Sequence, residues 1–204
     1  MYVPAKFRAL SADAVEAFIM ENGFANLVGY LNGKPIATHT PIMIKEGDQG
    51  GKKLVGHISA ANAQVQCFDG EQEMMAVFIE HHSYVSSSWY DHINVPTWNY
   101  IAVHVYGKVN KIAGLRLKND LRKLVDKYEG DQPTRFKLED MPAEMLHREM
   151  KGIVGFEMEV SKVEASYKLS QNRDDKNYFG IIKKLEERGD EFSVKIAQEM
   201  KKLR

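Results

Sequence analysis

The sequence predicts a mainly β fold of the α+β class: an antiparallel barrel with flanking helices and a C-terminal helical extension. Three observations carry this expectation. About six segments rich in β-branched and aromatic residues are separated by turn signals. Few helical patterns stand between them, so hairpins rather than helical crossovers join the strands. The closing stretch switches to helical spacing at Phe192, Ile196, Met200 and Leu203. With 204 residues, no internal repeat and no low-complexity linker, the expected organisation is one domain over residues 1–173, with residues 174–204 as a helical extension packed on it.

The elements follow in order. Ser11 caps a helix with Asp13 and Glu16 in its first turn, an apolar face of Val15, Phe18 and Ile19, and a stop at Asn22-Gly23. Phe24 to Leu31 and Lys34 to Ile44 flank Asn32-Gly33, the dipeptide best suited to a hairpin turn with two positive φ angles. Gly47 to Gly51 reads as a loop, Leu54 to Ala60 and Glu73 to Val85 as strands, with Gly70 at the bend between them. Val95 to Ile112 alternates as a long central strand. Leu117, Leu121, Leu124, Val125 and Tyr128 recur at helical spacing, and Pro142 opens a short helix through Met150. Ile153 to Ala165 returns to strand, with Val154, Phe156, Met158 and Val160 on one face. From Lys183 to Arg204 the pattern is one solvated amphipathic helix.

Composition narrows the function classes. Lys+Arg 28 against Asp+Glu 28 gives a formal charge of zero, which argues against bulk-basic binding of nucleic acid or anionic membrane. The single cysteine, Cys67, forms no intramolecular bridge, and Met1-Tyr2-Val3-Pro4 lacks a basic region followed by an apolar run. No apolar run approaches the roughly 18 residues of a membrane span. The expected location is a reducing cytoplasm.

Familiar catalytic patterns are missing. None of the seven histidines has convincing ligand spacing, and neighbours His81 and His82 would point to opposite faces of a strand, so no metal is expected. Neither a G-x-S-x-G elbow nor a phosphate-loop or dinucleotide glycine motif occurs. Two segments stand out instead. One is polar and aromatic: Tyr84-Val85-Ser86-Ser87-Ser88-Trp89-Tyr90, followed closely by Val95-Pro96-Thr97-Trp98-Asn99-Tyr100. Flat apolar rings beside hydroxyls and amides suit either an aromatic ligand with a phosphate tail or a packed aromatic corner. The other, Lys168-Leu169-Ser170-Gln171-Asn172-Arg173, brings two cations and several donors to the end of a strand, as a phosphate dianion or a solvated loop would require.

These segments, together with Met1-Tyr2-Val3-Pro4, Phe7, Gly56-His57 through Asn62, Val95-Pro96-Thr97-Trp98-Asn99-Tyr100, Val103-His104 and Gly152-Ile153-Val154-Gly155-Phe156, resemble the PaiB family in collinear order. That family is described as FMN-binding negative transcriptional regulators on a split β-barrel shared with pyridoxamine-phosphate oxidases and flavin reductases, usually homodimeric. The resemblance implies FMN as cofactor, held at a homodimer interface by His57, Asn62, Ser86, Ser88, Trp89, Tyr90, Thr97, Trp98, Asn99, Lys168, Ser170, Gln171, Asn172 and Arg173. The chain departs from the family pattern at Ser87, commonly proline, at Glu80-His81, commonly Gly-Pro, and at Ala60, commonly basic.

Three functions compete at this stage: an FMN-binding regulator, an FMN-dependent oxidoreductase, and a cofactor-free regulatory or structural dimer. Direct DNA binding gains little support, because residues 183–204 carry seven Lys/Arg against five acidic residues, a net of only +2.

Overall fold

The computed structural model of the protein describes residues 1–9, 11–47 and 50–204, so Asp48 and Gln49 of the expected glycine-rich loop lie outside the described residues. Six antiparallel strands close a barrel: β1 (Phe24–Leu31), β2 (Lys34–Glu46), β3 (Lys52–Ser59), β4 (Asp69–Val85), β5 (Thr97–Ile112) and β6 (Ile153–Lys168), in the spatial order β1-β2-β3-β6-β5-β4. Among the described residues five α-helices accompany them: α1 (Ala12–Glu21), α2 (Gly114–Glu129), α3 (Ala143–Lys151), α4 (Asp175–Arg188) and α5 (Glu191–Lys201).

The chain divides into two compact units. A barrel unit comprises Ile19–Val77 and Val105–Val163; a terminal-helix unit comprises Met1–Phe18, Phe78–His104 and Glu164–Arg204.

In the barrel unit, Asn32 and Gly33 take the expected positive φ angles of 52° and 74°, and β1 pairs with β2 from Leu31↔Lys34 to Phe24↔Pro41. β3 joins β2 on one side and β6 on the other, with Gly56 opposite Ile42 and Phe156. Leu27, Ile42, Leu54, Met74, Phe156 and Met158 fill the core. Gly107 is a packing necessity: a Cβ there would stand 2.0 Å from the Glu159 carbonyl oxygen, so β5 and β6 approach too closely for any side chain.

Four local details differ from the sequence reading. The link from β3 to β4 is made by a short 3-10 helix, Ala63–Cys67, and Gly70 lies inside β4 at φ 77°. β5 starts at Thr97, just beyond Pro96, whose ring nitrogen has no hydrogen for a sheet ladder. β6 buries Glu157 beside Phe156 and Met158, so its second face is covered as well. Arg116 of α2 and Lys45 and Lys53 of β2 and β3 gather on this carboxylate at 2.8, 3.2 and 2.7 Å, and Lys45 also reaches Asp120 at 3.3 Å. Finally, residues 183–204 do not form one solvated helix: Gly189, at φ 74°, ends α4, and Asp190 starts α5 by accepting the Ser193 amide at 2.9 Å.

In the terminal-helix unit, α4 and α5 bury Tyr178, Ile181, Leu185, Ile196 and Met200, with the Tyr178 hydroxyl donating to the Met200 carbonyl at 2.7 Å. Phe78, Val85, Ile101, Val103 and Leu169 complete this core. The Tyr167 hydroxyl donates to the Ala14 carbonyl at 3.0 Å and ties α1 to the end of β6.

Candidate functional site

Of the predicted site residues, His57 and Asn62 belong to the barrel unit and the rest to the terminal-helix unit. In the terminal-helix unit, the start of β5 meets the end of β6. The Lys168 ammonium donates to the Thr97 hydroxyl at 2.7 Å, and the Ser170 hydroxyl donates to the Asn99 amide oxygen at 3.0 Å. Two segments seventy residues apart in sequence thus become one surface.

The turn after β6 is held in an uncommon conformation. Ser170 has φ 61°, the left-handed region that non-glycine residues seldom occupy. The Arg173 amide closes back on the Ser170 carbonyl at 3.0 Å. Gln171 braces the turn from both ends, accepting the Leu169 amide at 2.8 Å and donating to the Tyr167 carbonyl. Gln171 and Asn99 are therefore committed to shaping the surface: the Asn99 amide nitrogen is spent on the Met200 sulfur at 3.5 Å.

What this turn presents is positive charge. Burial, and then the fields of Arg173 and Lys6, push the Lys168 ammonium below its ordinary range. Its acceptor is a neutral hydroxyl rather than a carboxylate. An anion brought here would be attracted by three cations that repel one another in its absence.

The aromatic segment lies in the same unit. Ser87–Trp89 forms one 3-10 turn, capped by the Ser86 hydroxyl, which accepts the Ser88 amide at 3.2 Å and is 2.9 Å from the Ser88 hydroxyl. The Arg188 guanidinium stands 4.6 Å from the Trp89 ring centroid, so one face of this indole is already covered. The Arg173 guanidinium stands 4.9 Å from the Tyr90 ring centroid. The Tyr90 hydroxyl and Arg173 Nε are both buried without a hydrogen-bond partner among the described residues. Trp98 is 50% exposed, with His82 and Tyr84 edge-on at 5.5 and 5.8 Å. Asn172 is exposed. Asp91 and Asn177 exchange hydrogen bonds of 3.1 and 2.9 Å, fastening the segment after Tyr90 to α4. Hydrogen bonds from Lys176, His92 and Asn177 hold the Asp91 carboxyl far below the carboxylate range.

In the barrel unit, His57 is half-buried on β3, and burial lowers its imidazole pKa below the ordinary 6.5. Its carbonyl accepts the Thr40 hydroxyl at 2.6 Å. Both ends of the Asn62 side chain are engaged in the fold: its oxygen accepts the Gln64 amide at 2.9 Å, capping the 3-10 helix, and its nitrogen donates to Thr38 at 2.8 Å.

The groups with capacity to spare are Lys168, Arg173, Tyr90, Ser88 and Trp98. Lys6 and Arg188 were not legible as members of this surface, and Tyr100 was legible only as part of the aromatic run, without a role. Lys6 acts through its field, the Tyr100 ring centroid is 5.9 Å from the Lys168 ammonium, and Arg188 arrives from α4, each through tertiary placement that no local spacing encodes. Among the described residues no three His, Cys, Asp or Glu side chains cluster as a metal site would require.

Comparison with known proteins adds a second line. Residues 1–162 match the family described as "Putative FMN-binding domain"; the Lys168–Arg173 turn lies just beyond that match. The "Protease synthase and sporulation protein PAI 2" of Bacillus subtilis (strain 168) is 38% identical over 186 residues, covering 91% of this chain and 89% of that protein. Among solved structures, the flavocytochrome Anf3 from Azotobacter vinelandii superposes with a TM-score of 0.60 at 17% identity, covering 85% of this chain and 75% of the other. The FAD and heme binding protein from Mycobacterium smegmatis gives 0.62 at 12%, covering 84% and 78%. At such identities these likenesses establish the shared α+β split-barrel fold.

Proposed function

Because the chain belongs to the PaiB-like FMN-binding domain family that its first 162 residues match, we propose that it binds FMN and acts as a flavin-dependent regulator. The observation that carries the reading is the Lys168–Arg173 turn: a part-buried ammonium without a carboxylate partner, a second cation with an unpartnered buried nitrogen, and an uncommon backbone conformation that aims them. A phosphate dianion supplies what this turn lacks.

The residues fit the cofactor in distinct ways. Lys168 and Arg173 bind the phosphate, with Ser88 and Asn172 as neutral donors. Trp98 offers an indole for the isoalloxazine to rest on, and Tyr90 a hydroxyl for a polar edge. Asn99, Ser170 and Gln171 position the backbone of the turn. Bound FMN would supply one- or two-electron redox chemistry.

We further propose that the flavin lies at a homodimer interface. Tyr84 and Trp98, 40% and 50% exposed with their rings 5.8 Å apart on the terminal-helix unit, form an aromatic surface of the kind that a second copy covers. Regulation then follows flavin state or partner exchange rather than direct reading of DNA.

FMN titration of three variants tests the site. Losing one charged donor costs about 1.5–3 kcal/mol, tenfold or more in affinity. Lys168→Ala is expected to weaken binding by about tenfold or more, and Ser88→Ala, which loses a neutral donor worth about 0.5–1.5 kcal/mol, by about twofold to tenfold. Lys201→Ala, whose ammonium pairs with Glu186 at 2.5 Å on the terminal helices, leaves it unchanged. Equal affinities in all three, with folding intact, overturn the assignment.

A further inference from the structure

The barrel unit has a second concavity that the flavin reading does not use. A cavity of about 410 Å³ opens where β5 runs into α2 and α3 runs into β6. That volume is within the range of small-molecule sites, about 300–1,000 Å³. Its walls are apolar, with Ile112, Leu117, Met150 and Val154 among them, and its polar side chains are Lys111, Lys151 and His147. Among the described residues no carboxylate side chain lines it.

Two helix ends meet at this place, and their dipoles oppose: α2 begins at Gly114 beside the cavity, whereas α3 ends at Lys151. The sign of the site is therefore decided by side chains, and both charged side chains in the lining are cations. Lys111 reaches Asp69 only through its field, as one of several influences that lower that carboxyl. Lys151 is exposed at the last position of α3, where its long stem leaves the ammonium free to follow a ligand. Apolar walls beneath an ammonium rim match one kind of molecule, an apolar body that carries a single acidic group. A neutral apolar ligand would leave the lysines without benefit; a wholly polar anion would leave Leu117, Met150 and Val154 unused.

We propose that this cavity binds a small amphipathic anion, an aromatic or aliphatic acid, with its body against Ile112, Leu117 and Val154 and its acidic group between Lys111 and Lys151. The site shares no residue with the Lys168–Arg173 turn and stands whether or not FMN binds there.

The probe is 1-anilinonaphthalene-8-sulfonate, an apolar anion whose fluorescence rises on binding, compared with neutral N-phenyl-1-naphthylamine on the full chain. The anion is expected to bind one per chain, at least tenfold more tightly than the neutral probe. Both lysines are exposed, so the Lys111→Ala/Lys151→Ala pair leaves the fold intact; thermal melting checks this. The paired variant is expected to lose at least tenfold in anion affinity, and saturating FMN is expected not to displace the anion. Equal affinity for the two probes, unchanged anion affinity in the variant, or displacement by FMN would each overturn the proposal. None of these readings depends on whether FMN titration of Lys168→Ala succeeds or fails.

Discussion

Glu157 concentrates more charge than any other single buried side chain described above. Burial by itself would raise its carboxyl pKa, but hydrogen bonds from Lys53, Lys45 and Arg116 outweigh that and hold it at about 2, against an ordinary 4.5. Removing one member of a buried ion cluster leaves the others uncompensated, so Glu157→Gln is expected to lose about 3–5 kcal/mol in urea unfolding. The pH dependence has a definite sign. Between pH 4.5 and about 2 the unfolded chain binds the proton that the folded chain refuses, so the stabilisation is present above 4.5 and drains away as pH falls toward 2. Acid titration of stability should therefore be steeper in this window for the unsubstituted protein than for Glu157→Gln. His57 behaves alike near neutrality: its pKa is lowered from 6.5, so its contribution is present above 6.5 and lost as pH falls through the lowered value. His57→Phe should flatten the stability profile there, and an unchanged profile would show that the imidazole is free to protonate in the fold. The Glu157 effect was not legible in sequence, since Glu157 looks like an ordinary outward residue of an alternating strand until α2 covers it, whereas the apolar strand around His57 already marked a buried histidine.

At the scale of elements, what the sequence made legible is what local chemistry decides. Asn32-Gly33 set the β1–β2 turn, and Ser11 caps α1, accepting the Ala14 amide at 3.1 Å. The 3-10 helix after β3 was illegible because the Gln64 side chain, which donates to the Leu27 carbonyl at 2.8 Å, anchors it to a distant strand. The break between α4 and α5 was legible in principle: Gly189 followed by Asp190 is a stop and a start side by side, hidden within a tally of charges. The same pair yields a measurement. Asp190→Ala removes the cap on α5, including its 2.6 Å acceptance of the Ser193 hydroxyl, and is expected to lower stability by about 1 kcal/mol. Gly107→Ala is of another order: its methyl would meet backbone, which has no rotamer to escape into. It should separate β5 from β6 and cost several times the Asp190 effect, read as a collapse of the thermal transition or loss of soluble protein. The candidate site divides in the same way. Its aromatic and basic runs were visible as runs, whereas the hydrogen bonds that join Thr97 to Lys168 and Asn99 to Ser170 depend on strand pairing across the chain.

For the molecule as a whole, the proposed dimer predicts a mass of two chains by sedimentation at micromolar concentration, and a fully folded monomer there would remove the interface from the flavin proposal. Zero formal charge predicts no nanomolar gel shift at physiological salt with the purified protein, since few phosphates could be neutralised. No helix among the described residues is long and apolar enough to cross a membrane. The division into two compact units has a consequence for synthesis. The chain passes between the units once within α1 and once within each of β4, β5 and β6. A ribosome releases residues in order, so the barrel unit has all its residues once Val163 has emerged, whereas the other unit must wait for the segment that begins at Glu164 and holds Lys168, Arg173, α4 and α5. The barrel unit can therefore take shape on a nascent chain before Lys168 and Arg173 are available, and on the proposed site cofactor capture waits for the segment that begins at Glu164.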